Sequence, residues 1–202
     1  TDAFKAKHGV ETTPQTFIDG KRIGGYTELR EHFGHDSGDA EGTSYRPVIA
    51  VFAVGAALAI ALSLFVFQLP FTIRTAEWFV AFSMAMLAML KLQDVEQFST
   101  MFVGYDLLGR KWVPYAYAYP YLEATAAILM AGRLLPWLSI PVALFIGTVG
   151  AISVFYAVYI QKRSIKCACV GGSANVPLGF VSLSENLAMI GMAIWMLLRP
   201  TL

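Results

Sequence analysis

Residues 47–70 contain no charged side chain, and that run decides most of what the chain can fold into. A bilayer core needs about 20 mostly apolar residues per helix. Four more apolar runs follow. Residues 75–92 form the second, with Glu77 near its start. Residues 119–135 form the third, which contains Glu123, and residues 136–160 the fourth, which contains no charge. Residues 183–198 form a shorter fifth. Pro47, Pro120 and Pro136 each open a run, where a missing N–H costs nothing. The expected fold is mainly α, a polytopic helical membrane bundle of five transmembrane helices.

Charge is distributed to match. Charged residues make up 14% of the 202 residues, against about 25% in a soluble domain. Residues 1–46 hold six Lys/Arg, eight Asp/Glu and all three histidines; the remaining 156 hold nine Lys/Arg and six Asp/Glu. A wholly soluble enzyme, a disordered chain and a disulfide-stapled secreted domain are excluded. A net charge of +1 gives no reason to expect nucleic acid as a partner. With the N-terminal segment on the cytoplasmic side, that side receives Arg46, Lys91, Arg110, Lys111, Lys162, Arg163 and Lys166. The far side receives Arg74, Arg133 and Arg199. The excess favours a cytoplasmic N-terminus and cytoplasmic long loops.

The polar segment has punctuation of its own. Residues 2–8 read as the end of an amphipathic helix closed near Gly9. The opening at Thr1, without Met or a secretion signal, reads as the interior of a longer polypeptide. A strand is expected over 15–18, a hairpin turn at Asp19-Gly20 and a return strand at Arg22-Ile23, stopped by Gly24-Gly25. Thr27 would cap a short helix over 28–33, with Gly34 as its stop. Residues 35–45, rich in Gly, Ser and acids, read as linker. The histidines share no ligand spacing and read as surface residues.

Few residues in the apolar part can carry chemistry. The only two cysteines, Cys167 and Cys169, stand two apart beside Lys162, Arg163 and Lys166 and ahead of Gly171-Gly172. Nearby cations favour thiolate over thiol, and a Cys-x-Cys disulfide closes a short, strained, easily reduced ring. The same pair suits a soft metal such as Cu(I) in transit; inert small apolar residues are the bland alternative. With no second cysteine pair on the far face, this chain cannot by itself relay thiol electrons across the membrane. A quinone, a metal or a partner protein would be needed.

Glu123 is either an intramembrane functional acid or an interfacial charge. Glu77 and Glu185 read as favourable charges at helix N-termini, with Ser184 as a cap. Tyr115, Tyr117, Tyr119 and Tyr121 read as an interfacial aromatic belt with Trp112, a quinone pocket being the sharper alternative. The methionines of the second and fifth runs read as packing residues. Val95, Phe98, Met101 and Phe102 have helical spacing and read as a helix lying on the membrane or extending the second span.

Two resemblances follow. Val10-Glu11-Thr12-Thr13-Pro14-Gln15-Thr16-Phe17-Ile18-Asp19-Gly20, then Ile23-Gly24-Gly25-Tyr26 and Leu29, resemble the C-terminal half of a glutaredoxin. The resemblance implies a cis-proline turn at Thr13-Pro14, facing an active-site cysteine. It also implies glutathione binding at Gly24 and Gly25 through backbone N–H groups. Thr27-Glu28 stands where the family usually has Asp, and its redox cysteine motif would lie before Thr1.

The second resemblance covers residues 78–196 and is to the methylamine-utilisation MauE family within the DoxX-like group. It rests on Lys91-Leu92-Gln93-Asp94, Tyr105-Asp106-Leu107-Leu108, Pro120-Tyr121-Leu122-Glu123, Cys167-Ala168-Cys169-Val170-Gly171-Gly172, Asn175-Val176-Pro177-Leu178-Gly179 and Ser182-Leu183-Ser184-Glu185-Asn186. It implies a four-helix membrane core and a part in maturing a partner protein.

The expected organisation is a partial glutaredoxin-like domain over 1–34, a linker over 35–46, an anchor helix over 47–70 and a MauE-like membrane domain over 71–202. The leading functional expectation is a thiol-redox protein of a bacterial inner membrane. In it Cys167 and Cys169 exchange equivalents with the glutaredoxin-like part, and glutathione, a quinone or a redox protein is the partner. A soft-metal handling protein and a non-catalytic scaffold of a maturation complex are the alternatives.

Overall fold

The computed structural model describes residues 15–24, 29, 32–33, 45–162 and 178–199. The chain divides into two units, Thr1–Gly42 and Thr43–Leu202.

In the first unit the described residues form an antiparallel hairpin. Strand β1, Thr16–Ile18, pairs with β2, Lys21–Gly24, with Ile18 opposite Lys21, Phe17 opposite Arg22 and a bulge before Thr16 reaches Gly24. Asp19 and Gly20 both take positive φ, +50° and +76°, as a two-residue turn between twisted strands requires. This is the hairpin expected from the sequence. Among the described residues it is a two-stranded sheet, and no thioredoxin fold is evident. Residues 2–8 and the linker lie outside the described residues. So does most of the helix expected over 28–33, of which Leu29, His32 and Phe33 are described.

The second unit is helical. Helix α1 is Arg46–Phe67, α2 Ile73–Gln93, α3 Val95–Val103, α4 Val113–Gly132, α5 Pro136–Phe155 and α6 Phe180–Leu198. A π-helical turn, Tyr156–Ile160, continues α5. Helices α2, α4, α5 and α6 pack in a ring, each against two neighbours, and α1 lies outside against α2. Among the described residues four helices are long and apolar enough to cross a bilayer: α1, α2, α5 with its π turn, and α6. Helix α4 has 20 residues, enough for about 30 Å, but tyrosines and Glu123 dilute its hydropathy.

Small residues set the close approaches. The buried positions of α1 are Val48, Gly55, Ala59 and Ser63, a single stripe facing α2. A Cβ on Gly55 would stand 2.9 Å from Ser83 Oγ. At the far end of that seam Thr75 Oγ1 donates to Ser63 Oγ at 2.7 Å, and Ser63 Oγ donates to the Leu69 carbonyl at 2.8 Å. Thr72 and Thr75 form a reciprocal cap that starts α2.

Two boundaries differ from the sequence reading. Helix α4 begins at Val113, with Pro114 in its first turn, so Pro120 lies inside the helix. Burial of Tyr115, Ala116 and Tyr119 extends the helix past the apolar run. Helix α6 begins at Phe180 after Gly179, so Ser184 and Glu185 are interior residues. Ser184 Oγ donates to the Val181 carbonyl, and neither residue is a cap.

Helix α3 turns its aromatic residues inward. Phe98 and Phe102 are buried against Tyr119: the Phe98 ring stacks on it with centroids 5.9 Å apart, and the Phe102 ring lies tilted to it at 4.8 Å. The tyrosine series of α4 splits by helical period. Tyr115 and Tyr119 face this aromatic core, while Tyr117 and Tyr121 are exposed. Only the second pair fits an interfacial belt. Met84, Met189, Met192 and Met196 are buried between helices, which is packing.

Candidate functional site

Three charged side chains from three helices meet in the core. Lys91 sits in the last turn of α2, Glu123 near the middle of α4 and Glu185 in the second turn of α6. Lys91 Nζ donates to Glu123 Oε2 and to Glu185 Oε1, each at 2.6 Å. Their side chains are 1%, 0% and 2% exposed. The Tyr119 ring lies 5.5 Å from Nζ. The two carboxyls share one cation, so they lie at most twice that bond length apart.

Beside the triad lies a cavity of about 10 Å³, the room one water needs. Its walls include Lys91, Tyr105, Tyr119, Gly150, Ser182 and Asn186. Tyr119 Oη donates to Asn186 Oδ1 at 3.4 Å, and Asn186 Nδ2 donates to the Ser182 carbonyl at 2.7 Å. The polar trail therefore runs from the triad back toward the first residues of α6. That is the end where α5 leaves the bundle: Val158 Cγ1 lies 3.7 Å from where a Cβ on Gly179 would stand.

A second buried acid shapes the connection from α3 to α4. Asp106 accepts from the Leu108 and Gly109 N–H groups at 3.0 and 2.7 Å, and Ser153 Oγ accepts from the Leu107 N–H at 3.0 Å. Burial pushes the Asp106 carboxyl up; the Gly109 N–H, the Ser153 hydroxyl and the Leu108 N–H oppose this.

The opposite end carries another charged cluster. Glu77, 3% exposed, accepts from Arg74 at 2.6 Å, Arg133 at 2.5 Å and the Trp195 indole at 2.9 Å. Arg74 and Trp78 also donate to the Ala131 carbonyl at 2.9 and 3.1 Å. Glu77 is thus a tie between α2, α4 and α6 rather than a charge answering a helix dipole. Glu77→Gln is expected to cost about 1.5–3 kcal/mol through weaker charge-assisted bonds, measured as a lower unfolding midpoint in detergent.

Of the residues singled out from the sequence, Glu123 lies fully inside the core. Gly24 ends β2 with φ +130°. Cys167, Cys169, Thr13, Pro14 and Gly25 lie outside the described residues. Lys91 counted toward the basic loops in the sequence reading, but it is buried and paired. Its role and that of Glu185 were missed. The signal was present: the second run carries a lysine near its end, the charge opposite to Glu123, and the fifth run carries a further acid.

Antiparallel helices closed around buried, paired charges define a multi-pass helical membrane protein. Residues 69–199 match the family model of methylamine utilisation protein MauE. The chain belongs to that family, and α1 precedes the matched region. No curated protein and no solved structure matches the chain.

Proposed function

We propose that the chain is a membrane thiol-redox protein that passes equivalents through Cys167 and Cys169 and serves the maturation of a partner protein. The N-terminal segment is read as glutaredoxin-like, with glutathione bound near Thr13, Pro14, Gly24 and Gly25, and as the donor or acceptor for the loop. Helix α4 is read as a fifth span. The N-terminal segment and the loop are assigned to the cytoplasmic face of a bacterial inner membrane. With Lys91 removed from the count, six basic residues against three still favour that orientation.

One observation carries the reading. The sole cysteine pair of the chain, with three basic residues ahead of it, lies in the connection between α5 and α6. The described ends of that connection meet where Val158 approaches Gly179, at the end of α6 that carries Glu185. In the exchange, a Cys thiolate attacks a disulfide, a new S–S bond forms, and the leaving sulfur departs as thiolate. The second cysteine then displaces the first adduct.

The test uses oxidised glutathione and the chain in membranes. One of Cys167→Ser and Cys169→Ser is expected to accumulate a glutathione adduct at least tenfold faster than a cysteine peptide. The double serine variant is expected to form none. Adduct formation no faster than in the peptide overturns the reading.

A further inference from the structure

Three arginines gather where α2 starts and where α4 and α6 end. Arg74 stands in the first turn of α2, and Arg133 and Arg199 directly follow α4 and α6. Arg74 and Arg133 both pair with Glu77. The Trp195 indole also donates to Glu77, and the Arg199 guanidinium lies over its ring at 4.6 Å. Among the described residues Glu77 is the one acid at this end of the bundle. Asp94, Glu96 and Asp106 lie at the other end, Glu123 near the middle of α4 and Glu185 in the second turn of α6. Three guanidinium groups therefore gather about one carboxylate.

A cation at a helix C-terminus can answer the dipole and bond the last carbonyls. Among the described residues neither arginine makes such a bond. Arg133 Nη2 donates to Glu77, and its Nε has no partner. Arg199 is exposed and rests on the indole face. The choice of side chain also matters. The described lysines of the helical unit, Lys91, Lys111 and Lys162, all stand at the other end, and this end carries arginine alone. The planar guanidinium fork matches phosphate oxygens two at a time.

An apolar groove of about 270 Å³ adjoins these arginines, between the start of α5 and the end of α6. Pro136, Trp137, Ile140, Pro141, Met196 and Leu197 line it. Arg133 stands just before the groove along the chain, and Arg199 just after it. Trp137, Leu197 and Leu198 are exposed. Spans end here, so the guanidinium groups lie at headgroup level and the groove faces hydrocarbon.

We propose that this end of the bundle binds an anionic phospholipid, with its phosphate on Arg133 and Arg199 and an acyl chain in the groove beside Trp137. Positive charge and apolar surface are adjacent in the order in which such a lipid presents phosphate and chain, and basic pockets between transmembrane helices suit anionic headgroups. The site is independent of the thiol chemistry.

The test reconstitutes the full chain in phosphatidylcholine vesicles and reads tryptophan quenching by lipids with brominated chains. A Trp112→Phe background removes the indole at the far end of α4. Brominated phosphatidylglycerol is expected to quench with about tenfold preference over brominated phosphatidylcholine. Arg199 bonds no other helix, so Arg199→Gln keeps the bundle intact. It is expected to lower the preference about fivefold, the contribution of one basic residue near a lipid surface. Lys111→Gln, at the other end, is expected to leave it unchanged. Inorganic phosphate and glycerophosphoglycerol, which lack chains, are expected not to relieve the quenching. Equal quenching by the two lipids, or a preference that survives Arg199→Gln, overturns the site. Relief by the chain-free phosphates assigns the arginines to a soluble anion and overturns the lipid.

Discussion

Lys91→Met is expected to destabilise the bundle by about 3–5 kcal/mol, because it takes away the buried ammonium that both carboxyls share. Thermal unfolding in detergent, followed by helical circular dichroism, checks the size of the loss. A second variant tests the cause. Replacing all three members, as Lys91→Met with Glu123→Leu and Glu185→Leu, removes the desolvated charges together. It is expected to recover most of the loss, since apolar replacement of a whole buried ion group is often neutral or stabilising. If the triple variant is no better than Lys91→Met, the cost lies in lost packing volume and not in uncompensated charge.

Gly150→Ala is expected to cost about 1–3 kcal/mol, a large penalty for one methyl group. The added Cβ would overlap the Asn186 amide, whose Nδ2 would stand 3.1 Å away. Asn186 cannot swing aside cheaply, because it is 4% exposed and bonded to the Ser182 carbonyl. The effect should be non-additive. Asn186→Ala alone loses that bond, but in the Gly150→Ala background it also removes the clash. The double variant is expected to be less destabilised than the two single effects added together. Strict additivity would mean that the glycine serves some contact other than Asn186.

The apolar runs gave the helical membrane architecture, because the length of a span and its lack of charge are local properties. The Asp19-Gly20 turn was legible for the same reason, since both residues tolerate positive φ. What could not be read was partnership. Lys91 and Glu185 are 94 residues apart, and sequence places each near the edge of an apolar run. Their meeting depends on how α2 and α6 lie side by side. Pro120 misled for a related reason. Proline at a helix start is the local preference, but the helix begins earlier because Tyr115 and Tyr119 gain burial against α3. Alternating tyrosines looked like one belt because spacing by two is a strand pattern. On a helix it sorts into two faces four residues apart, one buried and one exposed.

The same three helices are tied at two levels. Around Glu77 two guanidinium groups meet one carboxylate, and around Lys91 two carboxyls meet one ammonium. The levels are about 21 Å apart along α2. Two ties set that far apart fix more than the distances between the helices. Sliding one of the three along its axis, or tilting it about either cluster, parts a buried ion pair at the other, and a buried charge that loses its partner is costly.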